Sequence, residues 1–276
     1  MNARAIRSKA AWSMAALALA VVMFAVIDIL ALVAGKGAAA LNGSLFTTMT
    51  TGIAGGLQNA IYGTFALVGL GIVLSVPIGV LAGVYGALFA PDPVAKFFRF
   101  VAEVMAGVPS IVIGYFGYTM LVVAWGFGFS LLAGGISLAI LMLPYIVRAT
   151  ESTIRQLPHG YMEGARALGI TPADAFRTIL WKPALPGVLT GVLLAISIGL
   201  GETAPLLYTA GWSNFDPNWQ LTKNPIGYLT YVVWTYLNEP YSAAHRLAYA
   251  AALLLTALVL LLHVAAKGLQ RSTPSQ

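Results

Sequence analysis

The chain has 276 residues, 59% of them hydrophobic and only 9% charged, whereas soluble domains carry roughly a quarter charged residues. With a mean hydropathy of +0.84 it has too few polar residues to cover a water-soluble core, so lipid must be the solvent for most of it. The formal net charge of +6 follows membrane sidedness and forms no patch for nucleic acid, and the lack of cysteine excludes disulfides, zinc–thiolate sites and iron–sulfur clusters.

Six apolar segments reach or approach the roughly 20 residues that a transmembrane helix needs. In the first, Arg4, Arg7 and Lys9 precede a run over 11–34. That run exceeds the roughly 7–15 apolar residues of a signal peptide, so it is read as an uncleaved span. Asp28 falls in its outer half. The second span covers 61–89 and holds the pair Gly79/Gly83, a small-xxx-small spacing assigned to helix packing along with Gly187/Gly191. The third covers 103–125, is interrupted at Gly107-Val108-Pro109-Ser110, and begins at Glu103, four residues after Arg99. An i,i+4 ion pair accounts for Glu103 at that edge. The fourth, 131–147, is short and borrows from 126–130. The fifth, 188–210, is interrupted near Glu202, and the sixth covers 247–266. The segments are too long for barrel strands and do not alternate, which leaves an all-α polytopic membrane protein with about six transmembrane helices in a single domain over 1–276.

Basic residues set the orientation. With the N-terminus inside, Arg4, Arg7, Lys9, Lys96, Arg99, Arg148, Arg155, Arg166, Arg177, Lys182, Lys267 and Arg271 are inner, and only Lys36, Lys223 and Arg246 are outer. Both termini are therefore expected in the cytoplasm of a multi-pass inner-membrane protein. The outer stretch 211–246 contains Trp212, Trp219, Tyr228, Tyr231, Trp234, Tyr236 and Tyr241, a density expected of a membrane–water interface.

The inner stretch 148–186 reads as a helix–turn–helix. Pro158 suits a helix start, Gly169 a left-handed C-terminal cap, and Thr171-Pro172-Ala173-Asp174 the N-terminus of a second helix. Capping makes the loop ordered without naming a partner, and a merely solvated connection stays open. Pro205 removes the N–H that would bond the Gly201 carbonyl, so the fifth span should break around Glu202-Thr203. An acid at such a break should line a water-accessible cavity, the alternative being a structural acid bonded to Thr203 or a neighbouring helix. Pro109 and Ser110 would start a half-helix whose N-terminus is positive at membrane depth, a device transporters aim at anions. A packing kink is the other reading.

Glu163-Gly164-Ala165, Gly169 and Ile179 resemble the EAA loop of ABC-importer permeases. The Glu-to-Gly and Gly-to-Ile spacings hold, Gly164 replaces an Ala, and Trp181-Lys182 stands where Leu-Pro is usual. The resemblance implies that Glu163, Gly164, Ala165, Gly169 and Ile179 couple the chain to a separate ATPase. The chain itself has no Gly-x-x-x-x-Gly-Lys-Ser/Thr phosphate cradle, so ATP would be hydrolysed by the partner, with no cofactor and no enzymatic activity in this chain. Gly-Glu-Thr-Ala-Pro-Leu-Leu at 201–207 and Gly-Val-Pro-Ser-Ile-Val-Ile-Gly at 107–114 are similar to stretches of phosphate ABC transporter permeases, the PstA family, over about 59–266. Relatives often carry an Arg one turn before the Glu; here that position is Ile198. The family implies a substrate pathway at Pro109, Ser110, Glu202 and Thr203. It also implies a second homologous permease, an ATP-binding subunit dimer, an extracytoplasmic phosphate-binding protein, and phosphate as cargo. An ABC permease for molybdate, sulfate or an organic solute, or a membrane signalling or assembly subunit that transports nothing, are the competing expectations.

Overall fold

The computed structural model describes residues 3–218 and 220–271. Among them, five helices are long and apolar enough to cross a membrane, and a bent helix pair makes six if it is counted as one broken span. In chain order, α1 (Ala3–Ala40) leads through a short turn α2 (Ser44–Thr47) and a two-stranded antiparallel hairpin to α3 (Gln58–Leu88). The hairpin pairs β1 (Thr50–Thr51) with β2 (Ala54–Gly55), Thr50 opposite Gly55. Then come α4 (Asp92–Gly107), α5 (Ser110–Gly117) with a π-helical continuation over Tyr118–Ala124, and α6 (Leu131–Arg155). The elbow comprises α7 (His159–Ala167) and α8 (Pro172–Ala175), followed by a π-helical turn Phe176–Leu180 that runs directly into α9 (Trp181–Gly201). The chain closes with α10 (Ala204–Thr209), α11 (Leu229–Tyr236) and α12 (Ser242–Arg271).

Lipid supplies no hydrophobic force between helices, so the bundle is held by close packing of small residues. The most enclosed span is α6, which lies between α3 and α9. Both glycine pairs face it. A Cβ at Gly79 or Gly83 would lie 2.8 Å from Ile146 or 2.6 Å from Thr150, and one at Gly187 or Gly191 would lie 2.5 Å from Thr153 or 2.2 Å from Ala149. The assignment of these pairs to packing holds, with α6 as the common partner. By contrast, α1 leaves most of its length exposed and leans on α12 near Gly37.

Three expectations change. The third apolar run breaks at 107–109 as expected, but its first part belongs to a longer helix: α4 starts at Asp92 and is bent by 93° from α5 and its continuation. Lys96, Arg99 and Glu103 make one face of α4 polar, so the helix is amphipathic and suits an interface instead of the membrane interior. The fourth span gains its length at the other end, running on to Arg155, while Ser130 caps its start by accepting from the Ala133 N–H at 3.3 Å. The second elbow helix is not separate from the fifth span, because 172–201 is continuous helix.

The 211–246 stretch also departs from an interfacial belt. Trp212 stacks on Tyr231 with centroids 4.4 Å apart, and Tyr228 and Tyr236 are buried beside them. Of the Trp and Tyr residues described in this stretch, Trp234 and Tyr241 are well exposed; Trp219 lies outside the described residues. Buried Asn59 fastens this cap to α3 by accepting from the Thr50 N–H at 3.0 Å and donating to the Ser213 carbonyl at 2.9 Å. The cap closes the end of the bundle away from the elbow and holds α11 against the broken helix described next.

Candidate functional site

The fifth span breaks where Pro205 forbids continuation. α9 stops at Gly201, Glu202 is extended (φ −75°, ψ 131°), and α10 restarts at Ala204 with Pro205 in its first turn. The Thr203 carbonyl takes over as acceptor for the Leu206 and Leu207 N–H groups, 3.1 Å each. The other break has the same form: Val108 and Pro109 are extended, and α5 starts at Ser110.

The two breaks meet. The Ser110 hydroxyl lies beside the Glu202 carboxylate, and both side chains are partly buried. Beyond this contact α5 and α10 run side by side. A Cβ at Gly114 would lie 2.7 Å from the Pro205 Cα, and one at Gly117 would lie 2.6 Å from Ser137 Oγ and 2.8 Å from Thr209 Cγ2. Only glycine permits this approach, and it keeps the two half-helices in register. Gly199 faces Met142 and Gly117 faces Ser137, so the Ser110–Glu202 contact lies level with the interior of α6. Thr230 on α11 donates to the Glu202 carbonyl at 2.9 Å, tying the cap to the break.

Of the residues expected here, Pro109, Ser110 and Glu202 come together. Thr203 contributes its carbonyl to the α10 start. Ile198 leaves Glu202 without an arginine one turn back, and among the described residues the ion pairs lie elsewhere. A carboxylate beside a hydroxyl at paired helix breaks presents polar groups and backbone dipoles inside an apolar bundle, without a full positive charge.

The elbow forms at the opposite end of α9. Gly169 adopts φ +71° and ends α7, and the Thr171 hydroxyl accepts from the Asp174 N–H at 3.2 Å, as the capping pattern predicts. Pro158 stands one position earlier than expected, as the N-cap of α7. Ala165 is buried and seats α7, while Glu163, Gly164 and Leu168 face outward. Ile179 is partly buried in the π-helical turn, where Phe176 and Trp181 meet edge to face at 5.6 Å. Glu163, Gly164 and Leu168 thus form an exposed knuckle beside the end of α7, which Ala165 seats against the bundle.

One ionic cluster was not foreseen. Glu103 does not pair with Arg99 but faces Arg148 at 3.7 Å. Arg99 instead binds Glu151, which also accepts from Arg155, 2.8 Å in each case. The only available signal was an acid flanked by arginines at the end of an apolar run.

A helical membrane bundle with two apposed helix breaks and an exposed, capped elbow has the make-up of a transporter subunit driven from outside its own chain. The chain belongs to the binding-protein-dependent transport system inner membrane component family, whose model matches residues 75–273. It is similar to "Phosphate transport system permease protein PstA 2" of Mycobacterium bovis, 45% identical over 252 residues that cover 91% of this chain and 83% of the relative. It is also similar to "Phosphate transport system permease protein PstA" of Haemophilus influenzae, 40% identical over 232 residues covering 83% and 81%. Among solved structures, an inward-facing form of the MetNI methionine ABC transporter matches with TM-score 0.62 at 22% identity, over 79% of this chain and 96% of that one. A bacterial ABC transporter involved in the import of alginate matches with TM-score 0.59 at 14% identity, over 99% and 100%. These two establish the fold.

Proposed function

We propose that the chain is a transmembrane permease subunit of an ABC importer for inorganic phosphate. The observation that carries this reading is the 45% identity to a phosphate permease across 91% of the chain, a span that includes both breaks and the elbow. The chain would pair with a homologous second permease, receive phosphate from an extracytoplasmic binding protein, and be driven by a dimer of ATP-binding subunits. The elbow end is the cytoplasmic end, and both termini lie on that side, in keeping with the distribution of basic residues.

Glu163, Gly164, Ala165, Gly169 and Ile179 would couple the bundle to the ATPase. Glu163, Gly164 and Leu168 are outward-facing, which suits a knuckle that fits a groove on another protein. Closure of the ATPase would push α7, and through it α6 and α9, rocking the bundle between outward and inward access. The anion would pass at Pro109, Ser110, Glu202 and Thr203. Discontinuous helices offer the positive ends of half-helix dipoles there, and the Ser110 hydroxyl stands beside the Glu202 carboxylate. Polar and dipolar groups suit transit, because a fixed positive trap would retain phosphate.

Uptake of labelled phosphate in cells lacking other phosphate systems tests the reading. Expression of the complete transporter should restore uptake, and excess sulfate or molybdate should leave it unchanged. Uptake of another oxyanion in place of phosphate would refute the substrate assignment.

A further inference from the structure

α4 is poorly anchored by apolar contact. Its buried residues are two alanines, Ala95 and Ala102. Phe97 and Phe100 are exposed, and Phe98 touches the bundle edge-on at Tyr85, 6.1 Å between centroids. Its remaining hold is ionic. On the last turns of α6, the buried carboxylate of Glu151 accepts from Arg99 Nη1 on α4 and from Arg155 Nε, both at 2.8 Å. Arg155 Nη2 donates in turn to the Gly86 carbonyl on α3 at 2.9 Å. One turn away along α6, Arg148 faces Glu103 on α4 at 3.7 Å. A cavity of about 290 Å³ opens between these side chains.

A buried ion pair is seldom the cheapest way to stabilise a fold, since apolar packing serves as well. What it supplies is a directional hold between elements that apolar contact leaves loose. Here the hold joins two elements with consequences at both ends. After Arg155, α6 runs through 156–158 into α7, the outward-facing elbow helix. After Gly107, α4 ends in the extended Val108 and Pro109 and delivers Ser110 to Glu202. From Arg99 to Gly107 the path is unbroken helix, which transmits displacement along its axis.

We propose that Glu151 is a positioning residue that clamps α4 to the elbow end of α6, so that movement of α7 is carried along α4 to the Ser110–Glu202 break. This rests on the reading of the chain as an ATP-driven permease. α4 is then a lever, and the 93° bend at Gly107–Pro109 is where its motion opens or closes the contact. The two ends are joined through contiguous packed and bonded elements.

The test uses the complete transporter in liposomes, with inorganic phosphate and the loaded binding protein. In Arg99→Ala, phosphate moved per ATP hydrolysed should fall by about tenfold or more, the scale of losing one charged hydrogen bond. ATP hydrolysis should stay near the wild-type rate, and Arg99→Lys should recover most of the coupling. Unchanged coupling in Arg99→Ala overturns the proposal, as does a parallel loss of transport and hydrolysis, the mark of a purely structural role. If Arg99→Ala fails to assemble, the cysteine-free chain permits Glu103→Cys with Arg148→Cys joined by a short bis-methanethiosulfonate, which links each thiol through a reducible disulfide. Elements that travel together tolerate the link, so uptake should persist; loss of uptake reversed by reductant contradicts the clamp. Wild-type complex that took up no phosphate would remove the functional reading and the clamp with it, whereas normal wild-type uptake with unaltered Arg99→Ala coupling removes the clamp alone.

Discussion

Replacing Ser110 with alanine removes a hydroxyl that stands beside Glu202 from the opposite break. The carboxylate remains partly buried, in a span where Ile198 supplies no cation. A hydrogen bond to a charged group contributes about 1.5–3 kcal/mol. Glu202 keeps some solvent access, which discounts that figure to about 1–2 kcal/mol, or roughly 5–30-fold in a rate that depends on the contact. The assay is the initial rate of phosphate uptake into liposomes containing the assembled transporter, at saturating binding protein and ATP. Ser110→Ala should transport roughly 5–30-fold more slowly, and Ser110→Thr, which keeps the hydroxyl, should stay close to wild type. Wild-type transport by Ser110→Ala would show that the meeting of the two breaks has no bearing on passage.

Three further outcomes follow from the geometry. Glu163→Ala and Leu168→Asp alter side chains exposed on α7, so the purified chain should melt as wild type does while co-purification with the ATP-binding subunit and uptake both fall. Gly63→Ala would put a Cβ 1.8 Å from the Gly227 carbonyl oxygen; forcing apart α3 and the cap should destabilise by at least about 1–3 kcal/mol, seen as a lower melting temperature in detergent. Thr171→Ala removes the cap on the Asp174 N–H, costing about 1 kcal/mol, and should raise hydrogen exchange in the elbow without changing exchange in α6.

What could be read from residues alone was what is local in the chain. Long apolar runs mark spans, Pro205 stops a helix whatever surrounds it, and Gly169 with Thr171 caps the elbow by short-range bonds. The features missed depend on residues far apart in sequence. Arg99 had a plausible partner four residues away, but Glu151, 52 residues on, holds it. The break of the run over 103–125 at Gly107–Pro109 was legible, but the 93° turn of α4 and its ionic and Ala-lined contacts with α6 were not. The aromatics of 211–246 looked interfacial because their composition is; Trp212 stacking on Tyr231 arises from the fold that closes the cap. Sequence showed each of the two breaks, while their meeting at Ser110 and Glu202 is a property of the bundle.

The most direct test of the central claim exploits the absence of cysteine. Ser110→Cys in the assembled transporter provides a single thiol at the junction of the breaks, to be titrated with a charged, membrane-impermeant thiol reagent from each side of the membrane. If the junction lines the route of the anion, the thiol should react from one side at rest and from the other after ATP-driven trapping, and inorganic phosphate should slow the reaction. A thiol that reacts from neither side in any state would mean that the junction is dry and that phosphate passes elsewhere.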